Sequence, residues 1–212
     1  MSTIGVVLAG GASRRMGLDK LSLPVAPEGR TTILEHVVKC VQQVTDDIYV
    51  AHAPEPSFSP EELTLSVDEM HLHFLHDEAW YNGPLGVLGR LSFSLPESEF
   101  VVIAAGDLPG LHQDVLRACL DSLKVTDDAQ AALVERENVI QPLLGCYRYQ
   151  ALSTFFDAWK QGETRLMRVM DNLTIKHVVA EQAVWPTWWT RPVHTPEEYA
   201  MWKIEWRRYH AT

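Results

Sequence analysis

Cysteine is scarce. The 212 residues contain three, Cys40, Cys119 and Cys146, widely separated. No CxxC pair or Cys/His cluster suggests zinc, and an odd number of scattered thiols does not make a disulfide framework. Free thiols fit a reducing compartment, so a cytoplasmic protein is expected. Positive charge is also short, with 18 Lys and Arg against 28 Asp and Glu and a formal net charge of −10. This argues against broad binding to nucleic acid or an anionic membrane, which needs a basic face. No stretch approaches the ~18 apolar residues of a membrane span. Met1-Ser2-Thr3 runs straight into an apolar strand pattern with no basic leader, so a signal peptide is not expected. The chain also lacks HExxH, GxSxG, a Walker Gly-Lys-Ser/Thr and GxGxxG.

A chain of this length can bury roughly 70% of its unfolded surface, and no repeat or low-complexity linker divides it. One domain over 1–212 is expected. Strands are predicted at 4–9, 48–51, 72–75, 100–105, 131–134, 139–147 and 175–179, from short apolar runs bounded by turn residues. Helices are predicted at 34–44, 83–93, 112–124, 151–159, 165–173 and 196–209. Thr32 with Glu35 fits a capping box, and so does Thr195 with Glu198, where Pro196 occupies the first helical position. Tyr199, Trp202, Trp206 and Tyr209 fall on one face of the last helix, a stripe expected to pack on the sheet. Alternating strands and helices imply an α/β fold: three layers, Rossmann-like, with a mostly parallel central sheet. Such sheets bind ligands beyond the carboxyl ends of their strands.

The chemistry-bearing stretches fall at those ends. Leu8-Ala9-Gly10-Gly11-Ala12-Ser13-Arg14-Arg15-Met16-Gly17-Leu18-Asp19-Lys20 places paired glycines after a buried strand, followed by three cations. Glycine lets backbone N–H groups approach an anion, Arg offers a bidentate phosphate contact, and Lys supplies a mobile point charge. Gly106-Asp107-Leu108-Pro109 follows the strongest strand, where a carboxylate can hold Mg²⁺ together with substrate phosphates. His76-Asp77 and then Asn82-Gly83-Pro84-Leu85-Gly86 surround a helix start, with small residues that admit a base or ribose. Pro142, early in its strand, points to an edge or a bulge. Arg148 either faces an anionic substrate or lies on the surface. Arg165 and Arg168 either contact a second phosphate or form a solvated helix face. Trp185, Trp188 and Trp189 are read as packing residues, and His71 and His73 as surface residues.

The string Leu8–Lys20 resembles the signature of the molybdenum cofactor guanylyltransferase (MobA-like) family. The likeness continues in order through Gly83-Pro84-Leu85, Gly106–Pro109, Gln141-Pro142, Gly162–Leu166 and Thr195–Glu198. It implies a nucleotidyltransferase domain that joins GTP to molybdenum-loaded molybdopterin with Mg²⁺, releasing pyrophosphate. It also allows transient contact with other molybdenum cofactor proteins. By the same resemblance, Leu8, Ala9, Gly10, Lys20, Asp77 and Asp107 become nucleotide-binding positions, and the chemistry of the residues adds Gly11, Arg14 and Gly83. Asp107 becomes the metal ligand by that resemblance, and the need to neutralise phosphate charge makes Lys20, Asp107 and Arg15 the expected catalytic set. The chain departs from the family pattern twice. Ala51-His52 stands where an asparagine is common, and Pro192-Val193-His194-Thr195-Pro196 stands where Asn-x-Asn-Thr-Pro is common. A CTP-using relative, a non-catalytic nucleotide or pterin binder, and a structural partner of a molybdoenzyme are the alternative readings.

Overall fold

Seven short runs rich in branched and aromatic residues form one sheet. They are β1 (Thr3–Leu8), β2 (Asp47–His52), β3 (Leu72–His76), β4 (Phe100–Ala105), β5 (Ala131–Arg136), β6 (Val139–Arg148) and β7 (Ile175–Val179). The computed structural model describes residues 2–10, 19–53, 58–61, 63, 71–76 and 83–210. The strand order is β3-β2-β1-β4-β6-β5-β7. All neighbours are parallel except β6, which runs antiparallel to both β4 and β5. The chain leaves β1 toward β2 and β3 on one side and returns through β4 on the other. The switch point therefore lies between β1 and β4, where a ligand crevice is expected at the carboxyl ends.

The two faces of the sheet are both covered. Val7, Val50, Val102 and Ala104 pack under α1 (Ile33–Gln42) and α3 (Gln113–Lys124). Ile4, Val6, Val101 and Ile103 pack on the opposite side under α2 (Gly83–Ser94), α4 (Leu152–Lys160) and α5 (Leu166–Met170). Alternation of consecutive strand residues between the two cores explains why β1 and β4 read as unbroken apolar runs. Thr32 and Glu35 form the expected capping box on α1. Among the described residues no helix is long and apolar enough to cross a membrane.

Four sequence expectations need correction or resolution. Of the two readings of Pro142, the bulge holds: between the pairs Leu133↔Gly145 and Glu135↔Ile140 the extra residues belong to β6, and the proline lies among them, beyond the last β4 pair at Leu144. The bulge relieves the missing N–H. The helix predicted to 173 stops at Met170, because Asn172 and Leu173 tighten into i→i+3 bonds before β7. The aromatic stripe of α6 (Pro196–His210) does not pack on the sheet. Tyr199 and Trp202 bury themselves against Val25, Ile33 and Val193 instead, and Tyr209 is exposed. Arg148 faces no ligand: it donates to the carbonyls of Leu123, Thr126 and Ala129 at the amino end of β4.

Burial pushes the thiols of Cys40 and Cys119 up to about 12, and that of Cys146 well above its ordinary value. Protonated thiols of this kind are poor nucleophiles.

One contact ties α1 to the turn that follows β4. His36 Nε2 lies 2.8 Å from the Leu111 carbonyl, so that nitrogen carries the hydrogen. Burial lowers the His36 pKa below 6.5, against the raising effect of this bond, and His112 and Lys39 lower it further. The unfolded chain thus binds the His36 proton more readily than the folded one. Stability contributed here is present above 6.5 and lost as pH falls through the lowered value. His36→Gln keeps a donor for Leu111 but cannot titrate. Urea midpoints at about pH 7.5 and about pH 5.5 should differ less in this variant than in wild type. Equal differences would show that His36 does not titrate with folding.

Candidate active site at the β1–β4 switch point

The two central strands end level with each other. Leu8 is in register with Ala105, and the Gly106 N–H donates to the Leu8 carbonyl at 3.0 Å. On the other side of β1, the Ala9 N–H donates to the Ala51 carbonyl at 2.8 Å. Leu8, Ala9 and Gly10 thus lead off the middle of the sheet, and a Cβ on Gly10 would meet nothing within 4 Å. Gly11, Arg14 and Arg15 lie outside the described residues, as does Asp77.

The chain re-enters with Asp19, whose carboxylate accepts from the Leu21 N–H at 3.1 Å and from the Ser22 hydroxyl. This caps a single 3₁₀ turn, Lys20–Ser22, and Leu21 buries itself in the core under α1. With Leu21 anchored, the preceding side chain projects back across the sheet end. Lys20 Nζ meets Asp107 Oδ2 at 2.5 Å, with the two side chains 16% and 11% exposed. Positions 87 residues apart in sequence are thereby joined.

Asp107 is the most constrained polar residue of the site. Its backbone carbonyl accepts from the Val193 N–H at 2.9 Å. Its Oδ2 receives Lys20 and lies 3.3 Å from His194 Nδ1. Its Oδ1 is buried and has no hydrogen-bond partner among the described residues. Burial alone would raise the carboxyl pKa, but the His194 contact and the Lys20 charge outweigh it and hold the value below the ordinary one. His194 responds in the other direction: Asp107 raises its pKa against the effect of burial. An ionised carboxylate oxygen left buried and unpaired costs on the order of 1–3 kcal/mol or more, and such an atom calls for an explanation. A cation is the partner that a carboxylate oxygen beside a nucleotide crevice would take.

In the sequence His194 stands out as a departure from the family's Asn-x-Asn-Thr-Pro, where the resemblance implies a pterin-side or second metal contact, and its approach to Asp107 is not evident. The signal available was its place just before a capping box. Thr195 and Glu198 cap α6 reciprocally, and the Glu198 carboxylate also accepts from the His194 N–H at 2.6 Å. The helix is then fastened to the Lys20 side of the site. Tyr199 Oη donates to the Pro24 carbonyl at 2.7 Å, and Trp202 Nε1 to the Val25 carbonyl at 2.9 Å. Of the tryptophans read as packing residues, Trp188 joins this cluster, and Trp185 and Trp189 pack against the core under α1 and α3.

A second orphaned atom lies at the end of β2. His52 is 1% exposed, and its Nδ1 lies 2.7 Å from the Ala53 carbonyl. A carbonyl only accepts, so Nδ1 holds the hydrogen and Nε2 is an acceptor, buried and without a partner among the described residues. Burial lowers the His52 pKa, with His76 acting in the same direction against the Ala53 bond.

Among the described residues, the other expected positions make no hydrogen bond or ion pair with Lys20, Asp107 or His194. Gly83 opens α2 with φ of 70°, a conformation that favours glycine. Arg165 and Arg168 are exposed, each 3.6 Å from Glu163, and form a solvated helix face. His71 and His73 lie near Asp47 on the surface, as expected.

The MobA-like NTP transferase domain family matches residues 5–178, and the chain belongs to that family. A relative from Mycobacterium ulcerans, named probable molybdenum cofactor guanylyltransferase, is 37% identical over 129 residues. That match covers 60% of this chain and 59% of the relative, so it spans about three-fifths of that protein's length. A Bacillus cytotoxicus relative of the same name is 28% identical over 201 residues, covering 94% of this chain and 95% of its own. Among solved structures, molybdopterin-guanine dinucleotide biosynthesis protein A from Archaeoglobus fulgidus superposes with a TM-score of 0.71. It is 17% identical, with 97% of this chain and 99% of that one covered, a likeness of fold.

Gly110 governs how closely the carboxyl-terminal segment approaches Asp107. A Cβ there would lie 2.4 Å from the Trp188 carbonyl oxygen and 2.9 Å from the Trp202 ring. Gly110→Ala should lower stability by about 1–3 kcal/mol. In a thermal melt this is a fall of about 2–4 °C per kcal/mol. An unchanged midpoint would mean that the contact between the two segments is loose.

Proposed function

We propose that this protein transfers GMP from GTP to molybdenum-loaded molybdopterin, releasing pyrophosphate and forming the guanine dinucleotide cofactor in the cytoplasm. The observation that supports this reading most is the buried Asp107 carboxylate, with one oxygen unpaired, facing Lys20 at the β1–β4 switch point. The names of the relatives supply the substrates, and the residues present suit them.

Asp107 would hold Mg²⁺, with substrate phosphates completing the ion's shell. When bound, the metal supplies charge neutralisation for the triphosphate. In the free protein Lys20 neutralises Asp107. With nucleotide bound, the ammonium turns to the phosphates, where a mobile point charge is suited to the negative charge that builds on the leaving group. The Gly10 and Gly11 amides cradle phosphate oxygens, helped by Arg14 and Arg15, and Gly83 leaves room beside the nucleotide. Asp77 and the bare His52 Nε2 accept from donors on guanine or ribose. The acceptor's terminal phosphate oxygen attacks the α-phosphorus of GTP in line. A new P–O bond forms, and the bond to the bridging oxygen of the β-phosphate breaks with pyrophosphate leaving. The nucleophile is already anionic, so no general base is required, and positioning with charge neutralisation dominates. The contact between His194 and Asp107 supports residues 1–212 as one catalytic unit, extending past the 5–178 family match.

The test is metal-dependent pyrophosphate release from GTP, CTP, ATP and UTP, with and without molybdenum-loaded molybdopterin. Release with GTP and the pterin together is expected. Release with CTP instead would move the protein to a cytidylyl transfer, and no release with any nucleotide would contradict the transferase reading. Lys20→Ala should lower kcat by about 10²–10³-fold, the effect of losing one preorganised donor. A variant within about threefold of wild type would remove Lys20 from the mechanism.

A further inference from the structure

We propose that the Glu135 carboxylate is the group that reads the pterin of the acceptor, taking hydrogen bonds from its 2-amino group and the adjacent ring N–H. The inference rests on the transfer to molybdopterin proposed above, and it puts the two substrates on opposite sides of Asp107.

Three observations support it. The first is what surrounds the charge. Glu135 continues the face of β5 that carries Ala131 and Leu133, both buried in the core under α2, α4 and α5. Its cross-strand neighbours are Ile140 of β6 and Val179 of β7. Glutamate is depleted from strands, and a charge among apolar neighbours is costly unless its acceptor sites are filled. Among the described residues the Glu135 side chain has one partner, His177 Nδ1 at 2.5 Å. An ionised carboxylate only accepts, so the imidazole donates and steadies the group. A carboxylate offers about four lone-pair sites, so most of them are left for a ligand. The Glu135 side chain is 16% exposed, enough for a ligand to reach it.

The second is place. Gly145 of β6 pairs with both Ile103 and Leu133. Glu135, two residues past Leu133, therefore stands level with Ala105 at the carboxyl end of β4, just short of Asp107. Two strand spacings, about 10 Å, separate them across the sheet. A molybdopterin with its terminal phosphate at Asp107 can extend its ring toward β5, because the phosphate and the pyrimidine edge are at opposite ends of the molecule. The third is the ground between. That path crosses the bulged start of β6, where Ile140 and Leu143 offer half-buried apolar surface to a flat ring. The 2-amino-4-oxopyrimidine edge presents two parallel N–H groups, which suit a carboxylate as the fork of a guanidinium does. Guanine carries the same edge. With guanine beside His52 at the end of β2, as proposed above, Glu135 falls to the pterin.

The experiment is a fluorescence titration of the full-length protein with 6-hydroxymethylpterin and with its 2-oxo analogue, 6-hydroxymethyl-lumazine, each with and without saturating GTP. Wild type should bind the pterin at least about tenfold more tightly, since the lumazine turns a carbonyl toward the carboxylate where the pterin offers an amino group. This comparison needs no variant. Glu135→Gln should weaken pterin binding at least about tenfold and leave GTP affinity unchanged, which also shows that the variant is folded. With the complete acceptor, the same variant should raise the KM for molybdopterin and leave that for GTP as it was. A pterin that does not bind, that GTP displaces, that binds no better than the lumazine, or that binds Glu135→Gln as it binds wild type would overturn the assignment. Pyrophosphate release with molybdopterin alongside any of those results would leave the transfer standing. Pterin binding that depends on Glu135, with no release from any nucleotide, would contradict the transfer and leave the pterin site.

Discussion

The carboxylate of Asp107 is the constraint on which the rest of the site depends. Taking an ionised group out of water costs several kcal/mol, and only close charges and hydrogen bonds offset it. The protein meets that demand from distant parts of the chain. Lys20 arrives from the connection after β1, and His194 from the segment before the last helix. Each is fixed by its own local device: an Asp19-capped turn with a buried Leu21 for the lysine, and a capping box for the histidine. One carboxylate oxygen is still left unpaired. A fold that invests this much structure in holding a charged group, and then leaves half of it unsatisfied, is arranged for a ligand.

The sheet topology explains why the charge belongs there. Parallel β1 and β4 end at the same level, so the glycine-rich connection and the Gly106-Asp107 turn open onto one crevice. The antiparallel β6 covers the far side of β4 and begins at that same end, so the β5–β6 turn through Glu137 and Asn138 lies at the carboxyl end of β4. The carboxyl-terminal helix closes the remaining side. It binds the Pro24 and Val25 carbonyls rather than the sheet, so it braces the segment that follows Lys20 while its first turn presents His194.

Much of this was legible in the sequence because local and global signals agree. β1 and β4 read as strands because both faces are buried, and α1 and α6 announce their starts by capping boxes whose geometry is local. Lys20 and Asp107 could be nominated separately from composition and position. Their direct pairing could not, since 87 residues separate them and no local rule sets that distance. The same limit hid the contact of His194 with Asp107, the close approach at Gly110 and the docking of Tyr199 and Trp202, all of which are consequences of tertiary approach. The interior place of β6 was obscured by Pro142, because the bulge in β6 itself removes the usual objection to proline.

The most direct test of the central claim is calorimetric titration of GTP into wild type and Asp107→Asn, each with Mg²⁺ and with a chelator. If Asp107 is poised to bring metal and nucleotide together, Mg²⁺ should tighten GTP binding to wild type at least about tenfold, or ~1.4 kcal/mol. The Asp107→Asn protein should show no such dependence. An Asp107→Asn protein that keeps the wild-type response to Mg²⁺ would contradict the account, because the metal would then be held elsewhere and the buried carboxylate would serve only the fold.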